Sequence, residues 1–400
     1  MSREAYLILE NGQLFKGKGI CSDQNIMSEI VFNTSMTGYP QVLSSPAYAG
    51  QAVVMTYPLV GNYGICFDDL ESDRPWLDAL IIREAAREPS NFRSDISLID
   101  YLCKHGVPCI EGIDTRALTK TLRDNGTMKG MITSDTDFNI TNIIAKLKEH
   151  KNGDLVGMTS CRERYLVHGV KSIDENGVMA GHVIFDNDQY EASLNGGPHE
   201  KAPSYIKEFN GTNLKIALLD LGEKYNLVRS LTARGCDVEV FPADTEAREI
   251  LSSHPNGIVV SNGPGDPKEC ESIIPEIKKL YDGNIPVFAI SLGHQLMALA
   301  TGGNTSKMKH GHRGGNHPVK DLSNGRVYIT SQNHGYVVDI DSIDNDVASP
   351  AFVNINDGSN EGLTYIHKNI FTVQFQPEAC VSSEGTGYLI DMFIDRIKNS

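Results

Sequence analysis

The apolar positions of the N-terminal third come in short, alternating runs that are typical of β-strands. Two such runs flank the dipeptide Asn11-Gly12, which favours a tight hairpin turn. Helical spacing appears at two later places, and each stretch ends near a glycine. The predicted strands are 5–9, 14–17, 30–32 and 52–55, and the predicted helices are 96–105 and 115–124. These patterns predict a mixed α/β domain over residues 1–150.

The pattern changes after residue 213. Continuous apolar runs now alternate with amphipathic stretches, and this alternation predicts a doubly wound, largely parallel sheet. The predicted strands are 215–220, 238–241, 257–261 and 286–290, and the predicted helices are 225–234, 245–251 and 268–281. A polar, glycine-rich stretch at 182–213 precedes them. We therefore predict a connecting segment and linker over 151–213 and a second domain over 214–400.

Charge and composition narrow the classes of function. The 400 residues include 36 basic and 51 acidic ones, and the net charge of −15 opposes binding to nucleic acid or to anionic lipid. No apolar run approaches the roughly 18 residues that a membrane span needs. The first residues also lack the apolar region of a signal peptide. We expect a cytoplasmic protein with no nucleic-acid partner and no membrane partner.

Cysteine and histidine positions indicate no metal. Eight cysteines are scattered along the chain without a C-x-x-C pair, so neither a zinc site nor a disulfide framework is indicated. We expect reduced, packed thiols. His310, His312 and His317 lie in a glycine-rich stretch with no cysteine or carboxylate at ligand spacing. We predict a loop there, and no metal site.

One segment runs from a predicted buried strand directly into a predicted helix, with Ser291 at the turn. Such a residue projects its side chain above the carboxyl edge of a parallel sheet, beside the free N–H groups of a helix N-terminus. Its neighbours must be small, as Ala289 and Gly293 are. Ser291 is therefore a candidate nucleophile, although the pattern alone also fits an ordinary tight turn.

Three further segments carry polar chemistry. The loop 261–267 contains glycines that allow backbone N–H groups to approach a ligand closely. Downstream, residues 331–335 read Ser-Gln-Asn-His-Gly and residues 374–379 read Gln-Phe-Gln-Pro-Glu-Ala. Together with the turn at Ser291, these segments resemble the class I glutamine amidotransferases, in which the turn reads G-x-C-x-G-x-Q and the distal motif reads H-P-E.

The N-terminal third narrows the resemblance. The runs that look like those of carbamoyl-phosphate synthase small subunits are 32–39, 56–58, 61–64, 90–93, 113–116 and 311–319. The resemblance covers nearly the full length. It implies a heterodimer in which the large subunit binds ATP, Mg and bicarbonate, while this chain binds L-glutamine and no cofactor.

The chain departs from the family at the positions that perform the reaction. The family uses a cysteine nucleophile, a histidine base and a glutamate that orients the histidine, and these positions hold Ser291, Gln376 and Glu378. A serine hydroxyl is a poorer nucleophile than a thiolate, and an amide cannot act as a base. Loss of a general base typically costs about 10²–10⁴-fold in rate. At position 47 the family usually has a serine that helps to hold glutamine, and this chain has Ala47. Changes at three positions favour a natural lineage that stopped hydrolysing glutamine over a single mutation introduced to trap the substrate.

The binding positions are better retained. The residues that match the glutamine-binding pattern of the family are Gly263, Gly265, Leu292, Gln295, Asn333, Gly335 and Tyr336. We predict a pocket that persists without its reaction.

The resemblance implies the small subunit of a carbamoyl-phosphate synthase, serving arginine or pyrimidine synthesis, and the departures at Ser291 and Gln376 predict that its own glutaminase activity is lost. Two alternatives remain open. One is a weakly active glutaminase that uses Ser291 with His334 as an alternative base, although His334 also fits a residue that only shapes the pocket. The other is a free-standing protein that senses glutamine.

Overall fold

The computed structural model describes residues 3–22, 25–169, 172–173, 179–180, 214–379 and 385–400. The chain divides into two compact units, 1–155 with 308–314, and 156–307 with 315–400. The second unit thus begins inside the segment predicted as a linker, and residues 181–213 of that segment lie outside the described residues. In the described ranges, no helix is long and apolar enough to cross a membrane.

The first unit is built on a closed barrel. Its strands are β1 Arg3–Leu9, β2 Leu14–Ile20, β3 Ile26–Asn33, β4 Gln51–Met55, β5 Leu59–Val60, β6 Ala79–Ile81, β7 Glu84–Ala85, β8 Cys109–Glu111 and β9 Met128–Thr133. Seven of them close in the order β1-β2-β8-β6-β4-β3-β9, and β5 pairs with β7. β1 and β2 form the predicted hairpin, and Gly12 in its turn has a φ of 85°. Closure leaves these strands no exposed edge.

The helices of the first unit are α1 Tyr39–Ser44, α2 Leu98–Lys104, α3 Thr115–Asn125 and α4 Ile140–Glu149. Both predicted helices are confirmed as α2 and α3. The side chain of Asp114 caps α3 by accepting a hydrogen bond from the backbone N–H of Ala117 at 2.9 Å. Leu118 and Leu122 on one face of α3 are fully buried in an apolar cluster of the barrel, so the opposite face remains in solvent.

The second unit contains a ten-stranded sheet. Its strands are β10 Tyr165–Val167, β13 Lys215–Asp220, β14 Asp237–Pro242, β15 Gly257–Val260, β16 Val287–Ile290, β17 Thr305–Asp321, β18 Val327–Val338, β19 Ala348–Asn354, β20 Asn360–Tyr365 and β21 Ile370–Val373. Two short strands, β11 Ser172–Ile173 and β12 Met179–Ala180, pair separately. The sheet order is β10-β14-β13-β15-β16-β21-β20-β19-β17-β18. The central five strands, β14, β13, β15, β16 and β21, run parallel, as predicted. At one edge β10 pairs antiparallel with β14. On the other side the pairs β21–β20, β20–β19 and β19–β17 are also antiparallel.

Helices cover both faces of the parallel strands. They are α5 Leu155–Thr159, α6 Tyr225–Thr232, α7 Ala247–Ser252, α8 Ile274–Asp282, α9 Leu292–Ala300 and α10 Tyr388–Lys398. Successive residues of β13 enter two different apolar clusters: Ala217 belongs to one, and Leu218 to the other. Burial on both faces explains why these strands read as continuous apolar runs. The predicted helix 268–281 is wrong at its start, because Pro267–Glu269 forms a separate 3₁₀ helix.

The expectation that all cysteines are free thiols is wrong. Cys21 and Cys103 form a disulfide, with their Cα atoms 4.5 Å apart across a sequence separation of 82. Cys21 follows β2, and Cys103 lies near the end of α2. The pairing of β2 with β8, the strand after α2, brings the two together. Because this contact depends on barrel closure, the spacing of cysteines along the chain could not reveal it.

The disulfide predicts a redox-dependent stability. Cys103→Ser should lower the free energy of unfolding of the oxidised protein by about 2–4 kcal/mol, because the bridge restricts the unfolded chain. Urea denaturation with and without a thiol reductant measures this effect. The reductant should remove the difference between variant and parent, and Cys21→Ser should behave like Cys103→Ser. Eight reactive thiols in the denatured, unreduced parent would contradict the pairing.

Candidate active site

Ser291 alone forms the turn between β16 and α9. Its backbone has φ 52° and ψ −105°, a region that residues other than glycine avoid. The Ser291 N–H donates a hydrogen bond of 2.8 Å to the carbonyl of Val373, which anchors the turn to β21. The predicted strand–turn–helix is confirmed, and its strained backbone has the geometry of a nucleophile elbow.

Glycines permit the close packing around this elbow. A Cβ atom on Gly293 would lie 2.5 Å from the carbonyl oxygen of Val260, and one on Gly263 would lie 2.7 Å from the Leu292 side chain. Both positions therefore exclude larger residues. Leu292 is the first residue of α9, so its N–H has no acceptor within the helix and is available to a ligand oxygen.

The hydroxyl of Ser291 faces an amide. Ser291 is 3% exposed, and Nε2 of Gln374 donates to its Oγ at 3.4 Å. Gln374 is held in turn by Gln295, whose Nε2 donates to Oε1 of Gln374 and to the carbonyl of Tyr336, both at 2.9 Å. The amide N–H of Gln374 is a donor, which cannot remove a proton from the hydroxyl. Gln374 was not among the residues predicted to form the site.

The position expected to hold the base is occupied by a buried network around Lys224. Nζ of Lys224 donates to Oε1 of Gln376 at 2.7 Å and lies 3.6 Å from Oε1 of Glu378. The side chains of Lys224 and Glu378 are 5% and 0% exposed. Removing one member of such a pair typically costs about 3–5 kcal/mol, because the other charge is left buried alone.

Hydrogen bonds to Asp220 hold the loop that carries Lys224 in place. The carboxylate of Asp220, at the end of β13, accepts hydrogen bonds of 2.8 Å from the N–H groups of Gly222 and Glu223. Burial raises the pKa of Asp220, and these hydrogen bonds counteract the shift. Sequence reasoning missed Lys224, although its place just after the first parallel strand was a signal, since ligands bind at the carboxyl ends of such strands.

The residues predicted to bind glutamine occupy four places. Gly263 and Gly265 lie in the loop after β15, Leu292 and Gln295 lie on α9, Asn333, Gly335 and Tyr336 lie on β18, and Ala47 lies in a 3₁₀ helix of the first unit, Pro46–Tyr48. Asn333 is 7% exposed, and its Nδ2 has no acceptor within the described residues. A buried donor of this kind is satisfied when a ligand supplies an oxygen.

Two histidines of the second unit, His294 on α9 and His334 on β18, lie within the segments predicted to form the site. Nδ1 of His334 lies 2.8 Å from the carbonyl oxygen of Tyr336, and its Nε2 lies 3.0 Å from Oε1 of Gln332. Both ring nitrogens therefore already face oxygen acceptors. His294 is fully buried, with Nδ1 2.7 Å from Oγ1 of Thr372, and burial lowers its pKa to about 3. His294 is thus a neutral packing residue at physiological pH.

A strained elbow above a parallel sheet, facing a glycine loop and the Gln-Pro-Glu segment, defines the second unit as a class I glutamine amidotransferase fold. Residues 217–396 match the family model "Glutamine amidotransferase class-I", and residues 7–132 match "Carbamoyl-phosphate synthase small chain, CPSase domain".

Full-length relatives agree with both matches. The chain is 43% identical over 391 residues to the carbamoyl phosphate synthase small chain of Clostridium perfringens, covering 98% of this chain and 99% of the relative. It is 42% identical over 394 residues to the small chain of Fusobacterium nucleatum, covering 98% of each. The chain belongs to the carbamoyl phosphate synthase small chain family.

The strain at the elbow can be measured through stability. Ser291→Gly should raise the free energy of unfolding by about 1 kcal/mol, because a backbone held in a sparsely populated region costs about 1–3 kcal/mol. The greater freedom of glycine in the unfolded chain offsets part of this gain. Ser349→Gly, at an exposed position of β19, is the matched control and should lose about 0.5–1 kcal/mol. Equal destabilisation of both variants in urea would show that the turn is unstrained.

Proposed function

We propose that this chain is the small subunit of a carbamoyl-phosphate synthase and that its own glutaminase reaction has been lost, so that the complex takes ammonia from solution. The observation that carries this proposal is the buried contact of Lys224 with Gln376 and Glu378. It stands where the acid–base pair of an active relative is expected.

Proton transfer is the step that this arrangement lacks. Hydrolysis of glutamine requires a base that takes the nucleophile's proton and returns it to the departing ammonia. Gln376 holds no titratable proton, and its amide oxygen already accepts a hydrogen bond from Lys224. The ammonium of Lys224 offers donors and no lone pair. Glu378 faces this ammonium, so its charge is compensated without a histidine.

Glutamine binding without hydrolysis is compatible with the rest of the site. Nδ2 of Asn333, which lacks an acceptor in the described part of the chain, and the N–H of Leu292 are donors that suit the oxygens of an amino acid ligand. Gln295 is held in place by its two hydrogen bonds. Ala47 lacks the hydroxyl that is expected at its position, so we expect weak binding.

The partner is proposed to be the large subunit, which would bind ATP, Mg and bicarbonate and make the product used in arginine or pyrimidine synthesis. Two loops of the first unit expose apolar side chains, with Met36 73% and Phe92 98% exposed. Such residues suit an obligate interface, which typically buries about 2,000 Å² or more.

We also propose a cytoplasmic location, where glutamine, ATP and bicarbonate are available.

A slow glutaminase using Ser291 and His334 is the second candidate. Both ring nitrogens of His334 face the oxygens of Tyr336 and Gln332, an arrangement that suits a residue shaping β18 better than a free base. A free-standing glutamine sensor would use the same pocket, and co-elution with the large subunit in size exclusion separates it from our proposal.

Restoring two side chains should restore the reaction. Ser291→Cys combined with Gln376→His should raise ammonia release from glutamine by about 10²-fold or more over either single variant, since nucleophile and base act as one unit. A thiol without its base is only a few per cent thiolate near pH 7, and a histidine beside a serine lacks a good nucleophile. Adding Ala47→Ser should mainly lower KM. An ammonia-release assay on the isolated chain compares the two single variants, the double variant and the triple variant.

The parent chain provides the control, and its rate should equal the background. A parent rate similar to that of cysteine-containing relatives would overturn the proposal. Loss of that rate in His334→Ala would then assign it to the second candidate.

A further inference from the structure

The first unit holds a cleft that glutamine chemistry does not use. It has a volume of about 730 Å³, and its charged lining residues are Arg83, Asp114, Arg116, Lys120 and Arg123. Two segments singled out in the sequence, 56–58 and 113–116, supply part of the same wall. The proposed glutamine site in the second unit does not account for either segment.

The cleft is basic in a chain whose net charge is −15. Four of its side chains are cationic and one is anionic. Asp114, the anionic one, accepts a hydrogen bond from the N–H of Ala117 at the start of α3. This local excess of positive charge attracts an anionic ligand or an acidic surface.

Three of the cations share one face of α3. Arg116, Lys120 and Arg123 are spaced four and three residues apart, and all three are exposed. Arg123 pairs with Asp124 at 2.8 Å, whereas Arg116 and Lys120 form no ion pair within the described part of the chain. Like charges four residues apart on a helix repel each other, so an anion bound between them relieves this repulsion.

The exposure of the cationic side chains and the apolar groups beside them favour a protein ligand. Small-molecule sites are mostly apolar and enclose their ligand, whereas these cations lie on long, exposed side chains. Tyr57, between the lining residues Thr56 and Pro58, is 37% exposed, and Leu59 is 36% exposed. Exposed apolar residues beside a charged margin are typical of a protein interface.

We propose that this cleft docks an acidic segment of the large subunit, with Arg116 and Lys120 as its main contacts. This inference rests on the proposed function for the identity of the partner. Charges at the margin of an interface act mainly on the rate of association, and their effect falls as salt rises.

The test is the association rate of the full chain with the large subunit at low and high salt. Arg116→Glu with Lys120→Glu should slow association at low salt by about tenfold or more, and should flatten its salt dependence. Lys146→Glu with Lys148→Glu, at exposed positions of α4, changes the charge equally and should stay within about twofold of the parent. Arg116→Gln with Lys120→Gln should give an intermediate rate. This milder variant keeps the test possible if the charge-reversed variant does not fold.

The outcomes separate this inference from the proposed function. Equal rates for the cleft and control variants, with a parent that binds, overturn the cleft alone. A parent that does not bind the large subunit refutes the partner itself. Normal association of the cleft variants together with lost binding of inorganic phosphate, in calorimetry, shows a site for a small anion and also overturns the docking proposal.

Discussion

A buried ammonium lies between a carboxylate and an amide in the second unit, and the chemistry of the site depends on this interaction. Lys224 and Gln376 are 152 residues apart in sequence and 2.7 Å apart in their hydrogen bond. Burying two charges costs several kcal/mol per ion unless each is compensated. The loop after β13 and the segment after β21 must therefore stay together. Nδ2 of Asn226 strengthens this link by donating to the carbonyl of Glu378 at 2.5 Å.

The elbow is strained although its hydroxyl has no base within hydrogen-bond distance among the residues that the structure describes. Ser291 keeps φ 52°, because β16 and α9 leave one residue for the turn and because Gly263 and Gly293 let the helix approach closely. The same close approach packs the helix against the sheet, so the geometry of the elbow serves the fold whether or not the reaction takes place. Function here resides in a few side chains carried by the fold, and the fold alone does not guarantee it.

Local features of the site and fold could be predicted from sequence, and long-range ones could not. The hairpin at Gly12 and the elbow at Ser291 depend on a few neighbouring residues, and both were predicted from the pattern of the sequence. Barrel closure, the antiparallel strands β17 to β20 and the Cys21–Cys103 disulfide depend on pairing between distant segments. Lys224 follows the first predicted parallel strand and Gln374 lies in the segment 374–379, but their contacts with Gln376 and Ser291 join residues 152 and 83 apart, which the sequence did not show.

The central claim is that this chain supports synthesis without supplying ammonia. Its most direct test is carbamoyl phosphate formation by the purified complex of this chain and the large subunit, with ATP and bicarbonate and either glutamine or an ammonium salt. The account predicts synthesis with the ammonium salt and only background synthesis with glutamine. Glutamine-dependent synthesis at a rate comparable with the ammonia-dependent rate would contradict it.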